Sequence, residues 1–392
     1  MSNLKKLENN ILKYNILQFL HMFLFFGAFI TIYYVELNFT ILKIGILASV
    51  LWLSSFIFEI PSGIVADLYG RKTSIIISNI FYFLWILFIG LSEKYYLFIF
   101  GVFFCGIRLA FKSGSDTALL YDTLKELKKE KEFGKYIGKS ISYLLIGIAV
   151  SAPIGTVLVK YTSMNFVICI SLIPALISII LSFMLIEPKC FDKPDKKPYK
   201  HFKESLFTVL KTKKLLWLSI FFSSVSALFT IIFDYFQIIL NNFNLDISYF
   251  GFLLMFFLLI SVIGSRKYSY IHSKIKDFKI LKYLAIIFSI SMILIGFLQN
   301  IFIFIFLFCI IELLYGIFMP LKEHFINDEI QSKNRATIFS IMGFFVSVII
   351  ILLQPIIGYV GDLVGIFYQF SIMGVLFGLF FLISLKNLKK HI

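Results

Sequence analysis

The sequence predicts an all-α membrane protein with twelve transmembrane helices in two six-helix bundles. Three observations predict it. Apolar residues make up 59% of the 392 positions, close to what twelve helices of about 20 residues each would use. Charged residues make up only 15%, against about 25% in soluble domains. The apolar residues also run in long unbroken stretches rather than in period-two alternation. A soluble enzyme, a disordered chain and an outer-membrane barrel are excluded on these grounds.

The elements follow in order from apolar length and polar interruptions. The polar first fifteen residues precede an apolar run that reaches Glu36. That run is too long for a signal-peptide core and has no small-residue cleavage site, so 15–35 is read as an uncleaved first span. The next five spans are 43–65, 73–92, 95–121, 139–160 and 164–186. The Pro-rich basic stretch beginning Glu187-Pro188-Lys189 interrupts the pattern. Six further spans follow at 214–240, 247–264, 279–298, 300–321, 336–359 and 366–386. The predicted organisation is therefore an N-terminal bundle (1–186), a cytoplasmic linker (187–213) and a C-terminal bundle (214–392).

The formal charge is +15. With both termini in the cytoplasm, 32 of the 37 Lys and Arg residues fall on the inside and three (Lys43, Lys94, Lys160) on the outside. The remaining two, Arg108 and Lys112, lie within the fourth span. This asymmetry is the positive-inside pattern of a multi-pass protein of the cell membrane. It accounts for the charge without a nucleic-acid partner. The linker lysines can lie on anionic lipid or in solvent. None of Cys105, Cys169, Cys190 and Cys309 has CxxC spacing, so neither a disulfide nor a metal site is expected.

Six plus six spans suggest a duplication. Phe104-Cys105-Gly106-Ile107-Arg108 in span 4 matches Phe308-Cys309-Ile310-Ile311-Glu312 in span 10. Gly70-Arg71-Lys72 after span 2 has an echo in Gly264-Ser265-Arg266-Lys267 after span 8.

Residues 63–72 read Gly63-Ile64-Val65-Ala66-Asp67-Leu68-Tyr69-Gly70-Arg71-Lys72. They resemble the signature G-x-x-x-D-x-x-G-(R/K)-(R/K) of the major facilitator superfamily, in the same cytoplasmic loop between helices 2 and 3. The resemblance extends over the whole chain through the twelve-helix plan and the central basic loop, and it implies the major facilitator fold. It also implies a conformational latch, in which Asp67 caps the positive N-terminus of helix 11 near Asn334-Arg335-Ala336-Thr337. Gly70 permits the turn, and Arg71 and Lys72 hold the loop inside. Glu59 and Pro61 precede the motif within span 2. Together with Ser113–Asp122 they resemble a bacterial branch of drug and small-molecule exporters.

Charges inside a membrane are costly and mark function or pairing. Arg108, Lys112 and Asp116 in span 4 are four apart, which places them on one helical stripe. Asp234 lies in span 7, toward its outer end, and Glu312 in span 10. His21 in span 1 adds a titratable group, placed near the headgroups. In the resembled family helices 1, 4, 7 and 10 line the central cavity, so all six are candidates for the substrate and proton pathway. Arg108 resembles the arginine of the exporter signature l-x-x-x-R-x-x-q-G, although Phe111 and Lys112 replace its last two residues. Lys112 and Asp116 can also neutralise each other at i,i+4. Glu312, the repeat counterpart of Arg108, is expected to face it. Burial disfavours a charged carboxylate, so Asp234 and Glu312 are the first choices as proton carriers.

In span 5, Gly147 to Gly155 resembles the antiporter motif g-x-x-x-G-P-x-x-G, with Ser151 replacing a glycine and Pro153 displaced by one. Gly147, Pro153 and Gly155 are candidate hinge or close-packing positions. Gly358-Tyr359-Val360-Gly361-Asp362-Leu363-Val364-Gly365 repeats the first motif's pattern on the outer side, where it is read as a turn.

The expectation is a secondary transporter working by alternating access as a monomer. Proton-coupled export of a small, partly hydrophobic molecule is favoured, with protons and lipid as the other partners. The alternative is an importer or facilitator of a polar or anionic metabolite held by Arg108 and Lys112. A membrane enzyme or receptor is a remote alternative, since no ligand-spaced cluster or nucleophile with a base is visible. No cofactor is expected, and no phosphate-loop signature points to ATP.

Overall fold

The computed structural model describes residues 3–189, 206–207, 209–329 and 335–390, which form helices joined by turns and short irregular stretches, with no strand among them. Eleven helical stretches are long and apolar enough to cross a membrane, counting Tyr95–Glu126 and Met164–Phe183 as one each. The elements are α1 (Asn3–Met22), α2 (Ile30–Glu36), α3 (Ile41–Tyr69), α4 (Arg71–Gly90), α5 (Tyr95–Lys112), α6 (Ser115–Glu126), α7 (Phe133–Tyr161), α8 (Met164–Ile170) and α9 (Leu172–Phe183). After the linker come α10 (Lys213–Asn242), α11 (Phe250–Lys274), α12 (Asp277–Leu298), α13 (Ile301–Glu329), α14 (Arg335–Val364) and α15 (Ile366–Lys389).

The twelve-span plan is realised with three interruptions that apolar counting does not show. The first span is not one helix: α1 ends at Met22, residues 23–29 form a break, and α2 resumes at Ile30. The fourth span breaks at Ser113-Gly114, where Gly114 has φ +70°. The sixth breaks at Ser171. A break in an apolar segment is tolerated where other groups satisfy the freed backbone, and those groups come from distant parts of the chain.

Two boundaries also move. α11 runs on to Lys274, so Gly264-Ser265-Arg266-Lys267 lies inside a helix and is no loop echo. Arg and Lys are good helix formers, and charge ends a membrane span without ending the helix. Likewise α14 runs to Val364, so the motif copy at 358–365 is helical up to Gly365, where φ is +85°.

The chain divides into two compact units. Unit 1 comprises residues 1–33, 50–200 and 246–252; unit 2 comprises 34–49, 201–245 and 253–392. In unit 1, α4 packs on α5 and α9, and α1 packs on α7. In unit 2, α12 packs on α15 and α13, and α10 on α14. The unit 2 core is aromatic: Phe229 lies 4.7 Å from Phe288 and 4.6 Å from Tyr315, and Phe257 lies 4.6 Å from Phe308 (ring centroids).

The starts of α3 and α11 cross over between units. Ile41–Ser49 belongs to unit 2, while Asp246–Phe252 belongs to unit 1. In a duplicated six-helix plan these are equivalent elements, helices 2 and 8.

Candidate functional site

The polar centre of unit 1 is built on the break after α1. A helix end leaves carbonyls without intrahelical partners, and here three side chains take them. The Arg108 guanidinium Nη2 donates to the His21 carbonyl at 3.1 Å. The Tyr82 hydroxyl donates to the Leu20 carbonyl at 3.2 Å, and the Ser151 hydroxyl to the Met22 carbonyl at 3.4 Å. The Phe25 amide on the break donates to the Ser171 hydroxyl at 3.3 Å, so the breaks in spans 1 and 6 meet.

Arg108 is only 3% exposed, and its guanidinium lies over the Tyr82 ring at 4.4 Å. A cation at a helix C-terminus is electrostatically favoured, which explains how an arginine is held in this apolar setting. His21 is 2% exposed and bonds Asn79 Oδ1 through Nε2 at 2.6 Å. It is therefore buried in the protein core of unit 1, tied by its side chain to α4. Four buried polar atoms of this cluster have no hydrogen-bond partner among the described residues: His21 Nδ1, Asn79 Nδ2, Trp85 Nε1 and Arg108 Nε. Each costs about 1–3 kcal/mol while unpaired.

Lys112 and Asp116 form a salt bridge at 3.1 Å although the helix breaks between them. Gln18 closes the ring: its Nε2 donates to Asp116 Oδ2 at 2.7 Å, and its Oε1 accepts from Lys112 Nζ at 3.0 Å. The break at Ser113-Gly114 removes the continuous stripe expected for residues 108–116. Arg108 points into the α1–α4 contact, while Lys112 and Asp116 face Gln18.

At the signature loop, Asp67 pairs with Arg71 at 3.0 Å. The partner expected for Asp67, the start of helix 11 at 334–337, lies outside the described residues or has undescribed side chains. The structure adds a residue that the spacing of the chain assigns to the linker. Glu187 Oε1 accepts the Arg71 amide and its Oε2 the Lys72 amide, both at 2.7 Å, which caps the start of α4. Gly70 has φ +97° and ψ 159°. A Cβ there would lie 2.7 Å from the Glu187 carboxyl carbon. The glycine thus serves both the turn and the cap. A Cβ added at Gly63 would meet nothing within 4 Å. Glu59 is exposed and accepts from the Ser113 hydroxyl at 3.3 Å, so it touches the span 4 break rather than the loop.

Gly147 and Gly155 of α7 are close-approach positions. A Cβ would lie 2.5 Å from the Phe19 carbonyl oxygen and 1.7 Å from that of Phe25. Pro153 lies between them inside α7, which follows the broken first span backbone to backbone.

In unit 2, Gln354 Nε2 of α14 donates to Asp234 Oδ2 of α10 at 2.7 Å. The Tyr235 hydroxyl donates to the Gln354 carbonyl at 3.4 Å. That carbonyl also lies against Gly45 of α3, where a Cβ would be 2.4 Å away. Glu312 is 5% exposed and takes a side-chain hydrogen bond from Ser261 across the α11–α13 contact.

The motif copy at 358–365 ends in the turn at Gly365, and its Asp362 is also a cap. Asp362 Oδ1 accepts the Ile41 amide at 2.7 Å and Oδ2 the Leu42 amide at 3.0 Å. Below it, Gly358 lies against Ile41, Gln354 against Gly45, and the Ser49 hydroxyl donates to the Ile351 carbonyl at 3.1 Å. The equivalent start of α11 docks on α7, where the Thr156 hydroxyl donates to the Ser248 carbonyl at 3.2 Å. Next to it, hydrogen bonds from the Ser248 hydroxyl and amide hold the Asp246 carboxyl below its ordinary pKa. The pattern Gly-x-Val-x-Asp-Leu-x-Gly, shared by 63–70 and 358–365, was the available signal for Asp362. Gln18, Gln354 and Glu187 carry no such signal, since only the fold brings them to their partners. The same holds for His272, Asp277 and His324, which lie together near helix ends although no ligand spacing shows in the sequence.

Comparison with known proteins agrees with this architecture. The chain is 26% identical over 289 residues to the uncharacterized MFS-type transporter MJ1560 of Methanocaldococcus jannaschii, covering 70% of this chain and 72% of that protein. It is 25% identical over 193 residues to the uncharacterized MFS-type transporter YxaM of Bacillus subtilis, covering 47% of each. Among solved structures, a mutant of the nucleoside transporter NupG superposes with a TM-score of 0.81 at 13% identity, over 97% of this chain and 99% of that one. The POT family transporter PepTSo superposes with a TM-score of 0.74 at 12% identity, over 98% and 99%. The sequence matches the Major Facilitator Superfamily over residues 14–351, and the chain belongs to that family of membrane transporters.

Proposed function

We propose that this transporter is a proton-coupled secondary carrier of the cell membrane, with both termini cytoplasmic. In this reading it exports a small, partly hydrophobic molecule by alternating access. The bundles 1–186 and 214–392 are its moving parts, and 187–213 is their linker. The observation that carries the reading is the Asp234–Gln354 hydrogen bond. It ties a carboxyl within the membrane helices to the residue that packs on the start of α3. Protonating Asp234 weakens its pull on the Gln354 amide and so changes how α14 holds α3. Glu312 is the second proton carrier.

The substrate class follows from what the cations are doing. Arg108 is committed to the His21 carbonyl and Lys112 to Asp116 and Gln18. Lys112 is neutralised by Asp116, so of the cation pair that would hold an anionic metabolite only Arg108 keeps its charge. The unpaired nitrogens of His21, Asn79, Trp85 and Arg108 suit a hydrogen-bond-accepting group on the substrate. The antiporter-like sequence of α7 argues for export.

The test is flux of hydrophobic dyes in proteoliposomes with and without a pH gradient. Wild-type flux is expected to follow the gradient. Asp234→Asn and Glu312→Gln are expected to abolish that dependence while leaving downhill exchange. Flux indifferent to both the gradient and the substitutions rejects proton coupling, and gradient-driven uptake of a polar solute favours the import reading.

A further inference from the structure

We propose that His272, Asp277 and His324 form a binding site for a divalent transition-metal ion of the zinc class. The three residues come from three helices. His272 is in the last turn of α11, Asp277 opens α12, and His324 lies near the end of α13. Basic-residue topology assigns these ends to the cytoplasmic side.

The geometry converges on one carboxylate. His272 Nδ1 lies 2.6 Å from Asp277 Oδ1, and His324 Nδ1 lies 3.3 Å from Asp277 Oδ2. The imidazole rings are 4.5 Å apart, and one ligand atom from each residue lies within 4.8 Å of the others. Tetrahedral zinc holds N and O ligands at about 2.0–2.2 Å, which separates the ligand atoms by about 3.3 Å. The His324–Asp277 pair already has that spacing. The His272–Asp277 pair is a direct hydrogen bond, which opens by about 0.7 Å when a metal replaces its proton.

The donor set selects the ion. Two imidazoles and one carboxylate suit zinc, cobalt or nickel, whereas magnesium and calcium prefer all-oxygen shells. Three protein ligands leave a fourth position for water. Tyr268, one turn before His272, stacks on its ring at 5.6 Å and fixes its orientation. The side chains are 38%, 17% and 37% exposed, so ions reach them without the helices parting. Bound metal ties the ends of α11, α12 and α13 together within unit 2. This site is independent of the transport reading, and its test measures no flux.

The experiment titrates Co²⁺ alone, then Zn²⁺ alone, into the full-length chain in detergent, purified with a histidine-free tag and stripped by chelator. The expected result is one equivalent of Co²⁺ giving the intense visible bands of a four- or five-coordinate nitrogen–oxygen site, displaced by Zn²⁺. His272→Ala and His324→Ala are each expected to weaken binding at least about tenfold, with gel-filtration profile and helical circular dichroism retained. His201 and His391 remain in every variant, so metal that they hold is common to all. A weak six-coordinate cobalt spectrum in the wild type overturns the proposal and needs no variant. Equal binding by the wild type and the double variant His272→Ala/His324→Ala overturns it as well.

Discussion

Asp362 holds the first turn of α3 through the backbone of Ile41, accepting its amide at 2.7 Å across 321 residues of sequence. The second carboxylate oxygen takes the next amide, from Leu42. A negative charge at a helix N-terminus is favoured both as a hydrogen-bond acceptor and against the helix dipole. Glu187 does the same at the start of α4. Two carboxylates thus serve two helix starts, beside one signature motif and within its copy.

Replacing Asp362 by alanine removes the cap on α3. A lost cap costs about 1 kcal/mol, or about a fivefold change in a local opening equilibrium. Hydrogen exchange of the Ile41 and Leu42 amides is expected to speed up by about that factor. Asp362→Asn, which keeps one acceptor oxygen, is expected to fall between. Unchanged exchange in Asp362→Ala would show that the cap contributes nothing to holding α3.

Gly45 and Gly63 sit in the same helix with opposite surroundings. Gly45→Ala places a methyl 2.4 Å from the Gln354 carbonyl oxygen, with backbone on both sides. It is expected to cost about 1–3 kcal/mol, read as a lower melting midpoint in detergent. Gly63→Ala meets nothing within 4 Å and exchanges a helix-weakening residue for a helix former, a gain of about 0.5–1 kcal/mol. Its melting midpoint is expected to hold or rise. If Gly63→Ala is the more damaging of the two, the packing argument fails.

Gly70 and Glu187 can be tested as a coupled pair. The backbone of Gly70 lies in a region that is nearly closed to other residues, so Gly70→Ala costs about 1–3 kcal/mol in strain. The 2.7 Å approach to Glu187 adds to this. In a double-mutant cycle, Gly70→Ala is expected to cost less in the Glu187→Ala background, where the steric part is gone. Strict additivity of the two melting shifts would separate the residues and refute the shared cap.

Arg108→Ala exposes the unpaired end of α1. A hydrogen bond to a charged group is worth about 1.5–3 kcal/mol, and loss of the Tyr82 stacking adds about 0.5–1 kcal/mol or more. Arg108→Lys is expected to recover only part of this, since an ammonium lacks the planar fork that stacks and donates at once. Melting midpoints should rank wild type above lysine above alanine, with faster hydrogen exchange at residues 21–25. A lysine variant equal to wild type would leave only the charge as important.

The legible parts of the site were those with a local pattern. Gly70, Arg71 and Lys72 announced themselves by spacing within one loop, and Lys112 and Asp116 by i,i+4 separation. Arg108 was legible as a charge that needed a reason, but its reason was not. The His21 carbonyl that it caps is exposed only because α1 breaks, and the break falls within an unbroken apolar run. Asp362 was visible as a motif copy. Its partner amides at Ile41 and Leu42 look like any others in sequence, so the copy read as a turn. Glu187 looked like the first charge of a linker, because nothing local connects it with Arg71.

Composition by itself determined that this chain crosses a membrane many times, the apolar runs located most of its spans, and the motif at 63–72 carried the resemblance to its superfamily. Those properties are sums over residues or patterns within one short segment: apolar area against lipid, and the spacing of a single loop motif. The tertiary structure alone decided where spans 1, 4 and 6 break and which carboxylate caps which helix. It also decided that two histidines share Asp277. These depend on where backbone amides and carbonyls lose their neighbours in the chain. Those groups are the same in every residue, so no pattern of side chains announces which of them will need a distant partner.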